Sequence, residues 1–458
     1  MKYTNLVGAL LIIFITSRCT SDVDRYNTHP GSNSSPKTQK VITLKIHKPG
    51  ITLRGMQADP MTLVKEYTLY FYDQSGNFCY QKSFKATSGK NIYDIDLDLK
   101  NGKYKLLVVG NSSEHVKAHA LSHIDSLSID YPCSIYKTIS FEDNNTKKSK
   151  VASMLNKDGL IDITIDSEKS NIPVEVSLEP NICRVIVTGN PLVENGTIET
   201  HPFWFAINSM AKGSRLIKGK QMISKEASQV IYPETSLYTG SLSADKSALM
   251  EKISCYSGDN DKVLWLVVKE AQDPLIYNEI GVYVKETTID KSAYLKGLCP
   301  HVIIRVKYLP NSLNFVSQEK SWVCFNDQYY TLADFRSVMS NKSNQSIALQ
   351  RAIEKLSESN KLFTKSFDVG GIQYYHQGIN YYIVYIEHYR NDDTGNVILG
   401  TVRNHEYQIQ IERITKRGLP EFPNFSMKEM ALEPIQSKGV KTGISLSESK
   451  IIKQKVSL

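Results

Sequence analysis

Period-two alternation, repeated in short segments along most of the chain, limits what this sequence can fold into more than any other feature. The clearest case is 407–412: Tyr407, Ile409 and Ile411 point one way while Gln408, Gln410 and Glu412 point the other. Successive side chains of a strand face opposite sides, so this pattern predicts one buried face and one wet face. Residues 41–46 repeat it with Ile42, Leu44 and Ile46. Segments 68–73, 94–99, 103–109, 160–165, 174–178 and 184–188 are strand-like by alternation or by β-branched and aromatic content. The second half continues with 263–268, 280–284, 302–308 and 380–386. Between 94–99 and 103–109 stands Asn101-Gly102, a pair that tolerates positive φ and predicts a type I′ hairpin.

Helical signals are few. Thr331 and Asp334 have capping-box spacing ahead of Phe335 and Met339. Leu349, Ala352, Ile353 and Leu356 recur at helical spacing and predict an amphipathic helix over 344–357. Many short strands, long connections and a few short helices predict an all-β chain of sandwiches. A first domain is expected to end near Gly189-Asn190-Pro191.

At 458 residues the chain has room for several domains, and its 22% charged and 41% hydrophobic composition fits neither wholesale disorder nor a polytopic membrane protein. The net charge of +8 is mostly a property of the leader. Residues 1–54 hold 8 Lys and Arg against 2 Asp and Glu, which leaves 47 against 45 after them. A nucleic-acid partner calls for basic residues on the folded part, so none is expected. The seven cysteines, Cys19, Cys79, Cys133, Cys183, Cys255, Cys299 and Cys324, include no Cys-x-x-Cys pair. That argues against zinc ribbons and thioredoxin-type sites, and for small buried thiols over disulfides.

Residues 1–19 start with a basic Lys2, run apolar from Leu6 to Ile15 and reach Cys19. They predict a signal peptide, since the run is too short to span a bilayer. A cysteine just past the apolar run resembles a bacterial lipoprotein box. Arg18, where a small residue is usual, speaks against that match, while Ser21, Asp22 and Asp24 resemble the acidic surface-export tag of Bacteroidetes lipoproteins. Lipidation at Cys19 is the expectation over plain secretion. Residues 20–40, polar and without apolar periodicity, predict a flexible tether.

The chemistry-bearing patterns are thin. Asp94, Asp96 and Asp98 share one strand face, where a solvated surface is favoured over a calcium site. Asp259-Asn260-Asp261 lacks the register of a calcium loop and predicts a turn. His405-Glu406 lacks the second histidine of a zincin, because position 409 is Ile. His376, His388 and His405 would have to converge to hold a metal for hydrolysis, and sheet histidines are more often structural. Tyr374-Tyr375 and Tyr381-Tyr382 would suit an aromatic carbohydrate platform or a half-buried sheet face. Gly-x-Ser-x-Gly, Walker-A and Gly-x-Gly-x-x-Gly patterns are absent, and neither an enzyme nor a cofactor is expected.

Residues 381–388, then Gly400-Thr401-Val402-Arg403-Asn404-His405-Glu406-Tyr407, then 414–418 and Pro420, resemble the C-terminal domain of Bacteroidales fimbrillins, in particular the subunits of short fimbriae. The most specific stretch is the valine, arginine, asparagine, any, any, tyrosine signature at Val402, Arg403, Asn404 and Tyr407. Residues 67–73, 104–111 and 183–188 resemble early strands of the same family. The resemblance implies two transthyretin-like β-sandwich domains, divided here as 55–190 and 191–458, behind a signal peptide over 1–19 and a propeptide over 20–54 that carries the first strand. It implies a lipoprotein precursor carried to the outer membrane, whose first strand an arginine-specific protease removes. Arg54-Gly55 stands where that cut would fall. It further implies a fimbrial subunit of the cell surface that supports adhesion, with other copies or related fimbrial subunits as partners and strand exchange as the means of assembly. The implied donor is C-terminal, with Ile452, Val456 and Leu458 on one strand face and Ile444 with Leu446 as a second candidate. Residues 432–458 lack the tryptophan of the final strand in major subunits, which leaves shaft, anchor, accessory and tip roles open. The alternative is a monomeric outer-membrane lipoprotein that binds glycans.

Overall fold

Eight strands build the first core: β1 (Lys40–His47), β2 (Glu66–Tyr72), β3 (Phe78–Lys85), β4 (Ile92–Leu97), β5 (Gly102–Gly110), β6 (Met154–Asn156), β7 (Ile161–Ile165) and β8 (Asn171–Pro180). They belong to a computed structural model that describes residues 40–48, 63–128, 131–132, 152–166, 171–199, 204–211, 213–217, 221–223, 231–233, 253–254, 265–267, 282–289, 296–315, 320–390, 397–423 and 451–458. The strand order is β3-β2-β5-β6-β8-β1-β4, with β7 also on β5. Alternation in the sequence becomes alternation in burial: β4 buries Tyr93, Ile95 and Leu97 and leaves Asp94 and Asp96 exposed. The carboxylate row is a solvated face, as its pattern predicts.

Asn101-Gly102 does not make the expected hairpin. β4 pairs with β1, whereas β5 pairs with β2 and β7, and Gly102 lies opposite Ile165. Neither residue of the turn has positive φ. The pair therefore carries the chain from one ladder to another, because the apolar faces of β4 and β5 find their partners in different strands. A short helix, α1 (Glu114–Ala120), follows β5, capped by the Ser113 side chain on the Val116 N–H. The sequence carried no expectation of it, its apolar spacing being too short to stand out.

After a single residue, Asn181, the chain enters β9 (Ile182–Val193) and with it a second core. Cys183, Val185 and Val187 already belong to that core, so it begins ahead of the Gly189-Asn190-Pro191 turn where the sequence would divide the chain. β9 passes that point with a register shift between Gly189 and Leu192, where a Cβ on Gly189 would lie 2.5 Å from the Ile411 carbonyl oxygen. The second core also takes β10 (Trp204–Asn208), β11 (Val282–Lys285) and β12 (His301–Pro310).

A small mixed layer follows. It comprises β13 (Trp322–Phe325), β14 (Gln328–Thr331), α2 (Leu332–Ser340), α3 (Ile347–Glu358), β15 (Phe367–Val369) and β16 (Ile372–Tyr375), in the sheet order β14-β13-β16-β15. Thr331 caps α2 as its spacing predicts, accepting from the Asp334 N–H at 3.1 Å. Helix α3 starts at Ile347 rather than 344, because Ser346 supplies the cap by accepting from the Leu349 N–H. The second core is completed by β17 (Ile379–Tyr385), β18 (Glu406–Ile414) and β19 (Ile451–Ser457). Its ladders run β11-β9-β18-β19 in one sheet and β10-β12-β17 in the other. The molecule is all-β with few helices. No helix among the described residues is long and apolar enough to cross a membrane.

Candidate functional site

The first strand is an interior strand. β1 runs parallel to β8 on one side and antiparallel to β4 on the other, so its backbone is paired along both edges. Leu44 lies across from Tyr93 on β4 and Val174 on β8, and Ile42, Leu44 and Ile46 are essentially fully buried. Each such side chain stabilises the fold by roughly 2 kcal/mol. The outward face is polar and matched to its rims. The Thr43 hydroxyl hydrogen-bonds Asp94 and Asn171, and Lys45 Nζ donates to Glu175 Oε1 at 3.0 Å. His47 bonds the same carboxylate, and the hydrogen bond from Lys45, then that from His47, hold Glu175 below the usual carboxylate range. Removing β1 would open a groove with two unpaired rims, three apolar pockets and acidic residues outside them.

The last strand is built differently. β19 runs parallel to β18 along one side and comes last in the order of its sheet, so among the described residues it is an edge strand. Ile452, Val456 and Leu458, the candidate donor residues, are buried in the second core of their own chain. Gln454 shares their face and is 3% exposed. Its Nε2 donates to the Tyr385 carbonyl at 3.0 Å and its Oε1 accepts from the Glu387 N–H at 3.4 Å. Thr415 clamps the strand's end by donating its N–H and hydroxyl to the Leu458 carbonyl. The other donor candidate, Ile444 with Leu446, lies outside the described residues, as do Cys19, Arg54, Gly55 and the Asp259-Asn260-Asp261 turn. β1 ends at His47 and β2 begins at Glu66, so Arg54 and Gly55 belong to the connection between an interior strand and the next one.

The signature at Val402–Tyr407 is structural. Tyr407 is buried, its hydroxyl accepts from the Val402 N–H at 2.7 Å, and His388 Nδ1 lies 2.9 Å away. Burial raises the phenol well above its ordinary pKa, so the hydroxyl keeps its proton. Asn404 sits at φ 61°, a left-handed turn that asparagine tolerates, and donates its N–H to the Ile182 carbonyl. Arg403, 1% exposed, donates Nη2 to Glu286 Oε1 and to the Arg215 carbonyl, each at 3.1 Å, and its N–H to Glu286 Oε2. Valine, arginine, asparagine and tyrosine thus tie β18 to β9 and to the residues beside β11. Their roles follow from burial, which the sequence pattern alone does not report.

Of the three histidines, His388 and His405 meet, with ring centroids 5.1 Å apart, while His376 bonds Tyr374 in the mixed layer. No group of three metal-ligating side chains occurs among the described residues. Tyr374, Tyr375, Tyr381 and Tyr382 are all buried, and Tyr375 stacks on Trp322 at 3.8 Å. They give core contacts rather than the open faces of a carbohydrate platform. Cys183, Cys299 and Cys324 are buried as expected, and Cys79 is exposed.

Residues 58–292 match the model of the fimbrillin-A associated anchor proteins Mfa1 and Mfa2, and residues 373–445 match the C-terminal domain of the major fimbrial subunit protein type IV, fimbrillin. No curated protein matches the sequence at a significant level. Among solved structures, a fimbrilin from Porphyromonas gingivalis W83 is similar at 14% identity, covering 92% of this chain and 98% of its own with a TM-score of 0.45. The tip fimbrial protein Mfa3 from Porphyromonas gingivalis is 11% identical over 61% of this chain and 83% of its own, with a TM-score of 0.35. A fimbrial assembly protein from Parabacteroides distasonis is 13% identical over 59% and 84%, with a TM-score of 0.29. The first of the two family matches spans just over half of the chain: it belongs to the family of fimbrillin-A associated anchor proteins Mfa1 and Mfa2, Bacteroidales fimbrillins that are structural and not enzymatic.

Proposed function

We propose that the chain is a surface fimbrial subunit exported as a lipoprotein precursor, acylated at Cys19, delivered to the outer membrane and matured by an arginine-specific protease after Arg54. Its two sandwich domains, the second of which begins with β9, then assemble by strand exchange with other fimbrial subunits and support adhesion. The observation that carries this is the position of β1. It is paired on both edges, three of its side chains fill the first core, and the stretch of chain that leads from it to β2 contains Arg54 and Gly55. A cut there turns an interior strand into a separable peptide. The vacated groove offers main-chain partners along both rims and pockets at alternate positions, which is the requirement for adding a strand from another molecule. A contact of this head-to-tail kind does not close on itself, so it propagates.

Arg54→Ala tests the maturation step. Surface protein from this variant is expected to keep residues N-terminal to Gly55 and to build no polymer. Normal polymers from it would remove proteolysis from the mechanism. N-terminal sequencing of the wild-type surface form gives the complement: a start at Gly55 supports processed assembly, and a lipid-bearing start at Cys19 an unprocessed, anchored subunit.

A further inference from the structure

Two strands of this chain have the same design on the outside and a different one on the inside. β1 turns Ile42, Leu44 and Ile46 inward and Lys45 outward against Glu175. β19 turns Ile452, Gln454, Val456 and Leu458 inward and Lys453 and Lys455 outward, the latter on Glu412. Placed in the β1 groove, the C-terminal strand would therefore satisfy the acidic rim. Its core face would not fit. A strand that fills all three pockets must use three consecutive inward positions, either 452, 454 and 456 or 454, 456 and 458. The first choice puts the Gln454 amide at the Leu44 position, across from Tyr93 and Val174, and the second at the Ile42 position, across from Ile95 and Ile172. In its own core that amide has the Tyr385 carbonyl and the Glu387 N–H. Those partners do not travel with the strand, and an unpaired buried amide is costly.

Resting on the groove reading above, we infer that Gln454 keeps the C-terminal strand in its own core and, with Thr442 and Glu448 flanking Ile444 and Leu446 at alternate positions, excludes a second copy of this chain as the donor. The occupant of the β1 groove is a strand of a different subunit, with apolar side chains at three alternate positions and a cation facing outward toward Glu175. Gln454 is thus a specificity residue: it discriminates between this chain and its partner through one buried amide, with no repulsive charge needed.

The test uses the full chain cleaved after Arg54 and fluorescent peptides, with retention read on native gels and by polarisation. A peptide of residues 40–48 should be retained. A peptide of residues 450–458 should bind at least ~10-fold more weakly, ~1.4 kcal/mol, and its Gln454→Leu version should recover that factor. In the full chain, Gln454→Leu should give a self-ladder on unboiled gels after cleavage, where the wild type gives none. Equal retention of the wild-type and Gln454→Leu peptides overturns the inference and leaves the groove reading standing. So does wild-type retention that Tyr67→Phe abolishes, because the buried Tyr67 hydroxyl, which has no hydrogen-bond partner among the described residues, would then be receiving the amide. Failure of the 40–48 peptide itself overturns the groove reading and the inference together.

Discussion

The first and second cores each hold one strand from a chain end of the described fold, and they hold it in opposite ways. β1 is threaded between two partners, with its stability spread over two ladders and three apolar pockets. β19 lies at a sheet edge, with one ladder to β18, and is fixed by particular polar contacts at Gln454 and Leu458. The lesson is that generic and specific anchoring serve different ends. A groove of apolar pockets and backbone rims accepts any strand of the right pattern, whereas an amide bonded to two named backbone groups accepts one.

The largest effect should come from testing the generic site at its centre. Leu44→Asp places a carboxylate between Tyr93 and Val174 in an apolar core, and should abolish folding of the first core, read as loss of its cooperative transition in urea. Leu44→Ala should cost about 2–5 kcal/mol, with Val456→Ala at the edge costing less. Equal costs would break the contrast between an interior and an edge strand. Native-state hydrogen exchange sharpens it: amides of β1 should be better protected than those of β19.

Next in size is the keystone of the second core. Arg403→Met removes the guanidinium that faces Glu286, whose side chain is 11% exposed, and should cost about 3–5 kcal/mol because the ion pair it breaks is largely shielded from solvent. The first core has no buried arginine among its described residues and should be unmoved. Transitions that shift together would mean the two cores unfold as one unit.

These two sites differ in how far the sequence exposes them. Alternation at Ile42, Leu44 and Ile46 reports burial directly, and burial on a strand is most of what β1 is. The Val402–Tyr407 signature is visible as a resemblance, yet its action depends on Glu286, Arg215, His388 and Ile182, which are remote in the chain. Nothing local encodes that convergence. Asn101-Gly102 shows the same limit from the other side. Its turn chemistry is local, but which strands pair is decided by where their apolar faces find cover, so β4 went to β1 and β5 to β2. Gln454 is the sharpest example. In the sequence it is a polar residue interrupting an apolar face, and only the position of the Tyr385 carbonyl and the Glu387 N–H shows why it is there.

Acid should separate the cores by a smaller margin. Both fully buried histidines among the described residues, His301 and His388, lie in the second region. Burial pushes His301 down to about 4 from an ordinary 6.5. Its unfolded form binds a proton that the folded form refuses, so its stability is intact above pH 6.5 and is lost as pH falls through 4. The loss is of order 3 kcal/mol across that window. Denaturant titrations at about pH 7, 5.5 and 4 should show the second core weakening first, and His301→Asn should flatten the trend.

The smallest expected effect is the most informative about the groove's outer wall. Lys45 and Glu175 form an exposed pair, as do Lys455 and Glu412. Solvent screens such pairs, so Lys45→Ala and Lys455→Ala should leave the unfolding midpoint of the intact chain almost unchanged. Once the chain has been cut after Arg54 the two should diverge. Lys45 then belongs to a separable strand whose rate of return to the groove depends on the acidic rim, so its loss should slow rebinding and make the rate less sensitive to salt. Lys455 stays on a strand that never leaves, and its loss should change neither. A rebinding rate that ignores Lys45 would mean that Glu175 and Asp94 do not select the incoming strand, and that the pockets beneath them do so alone.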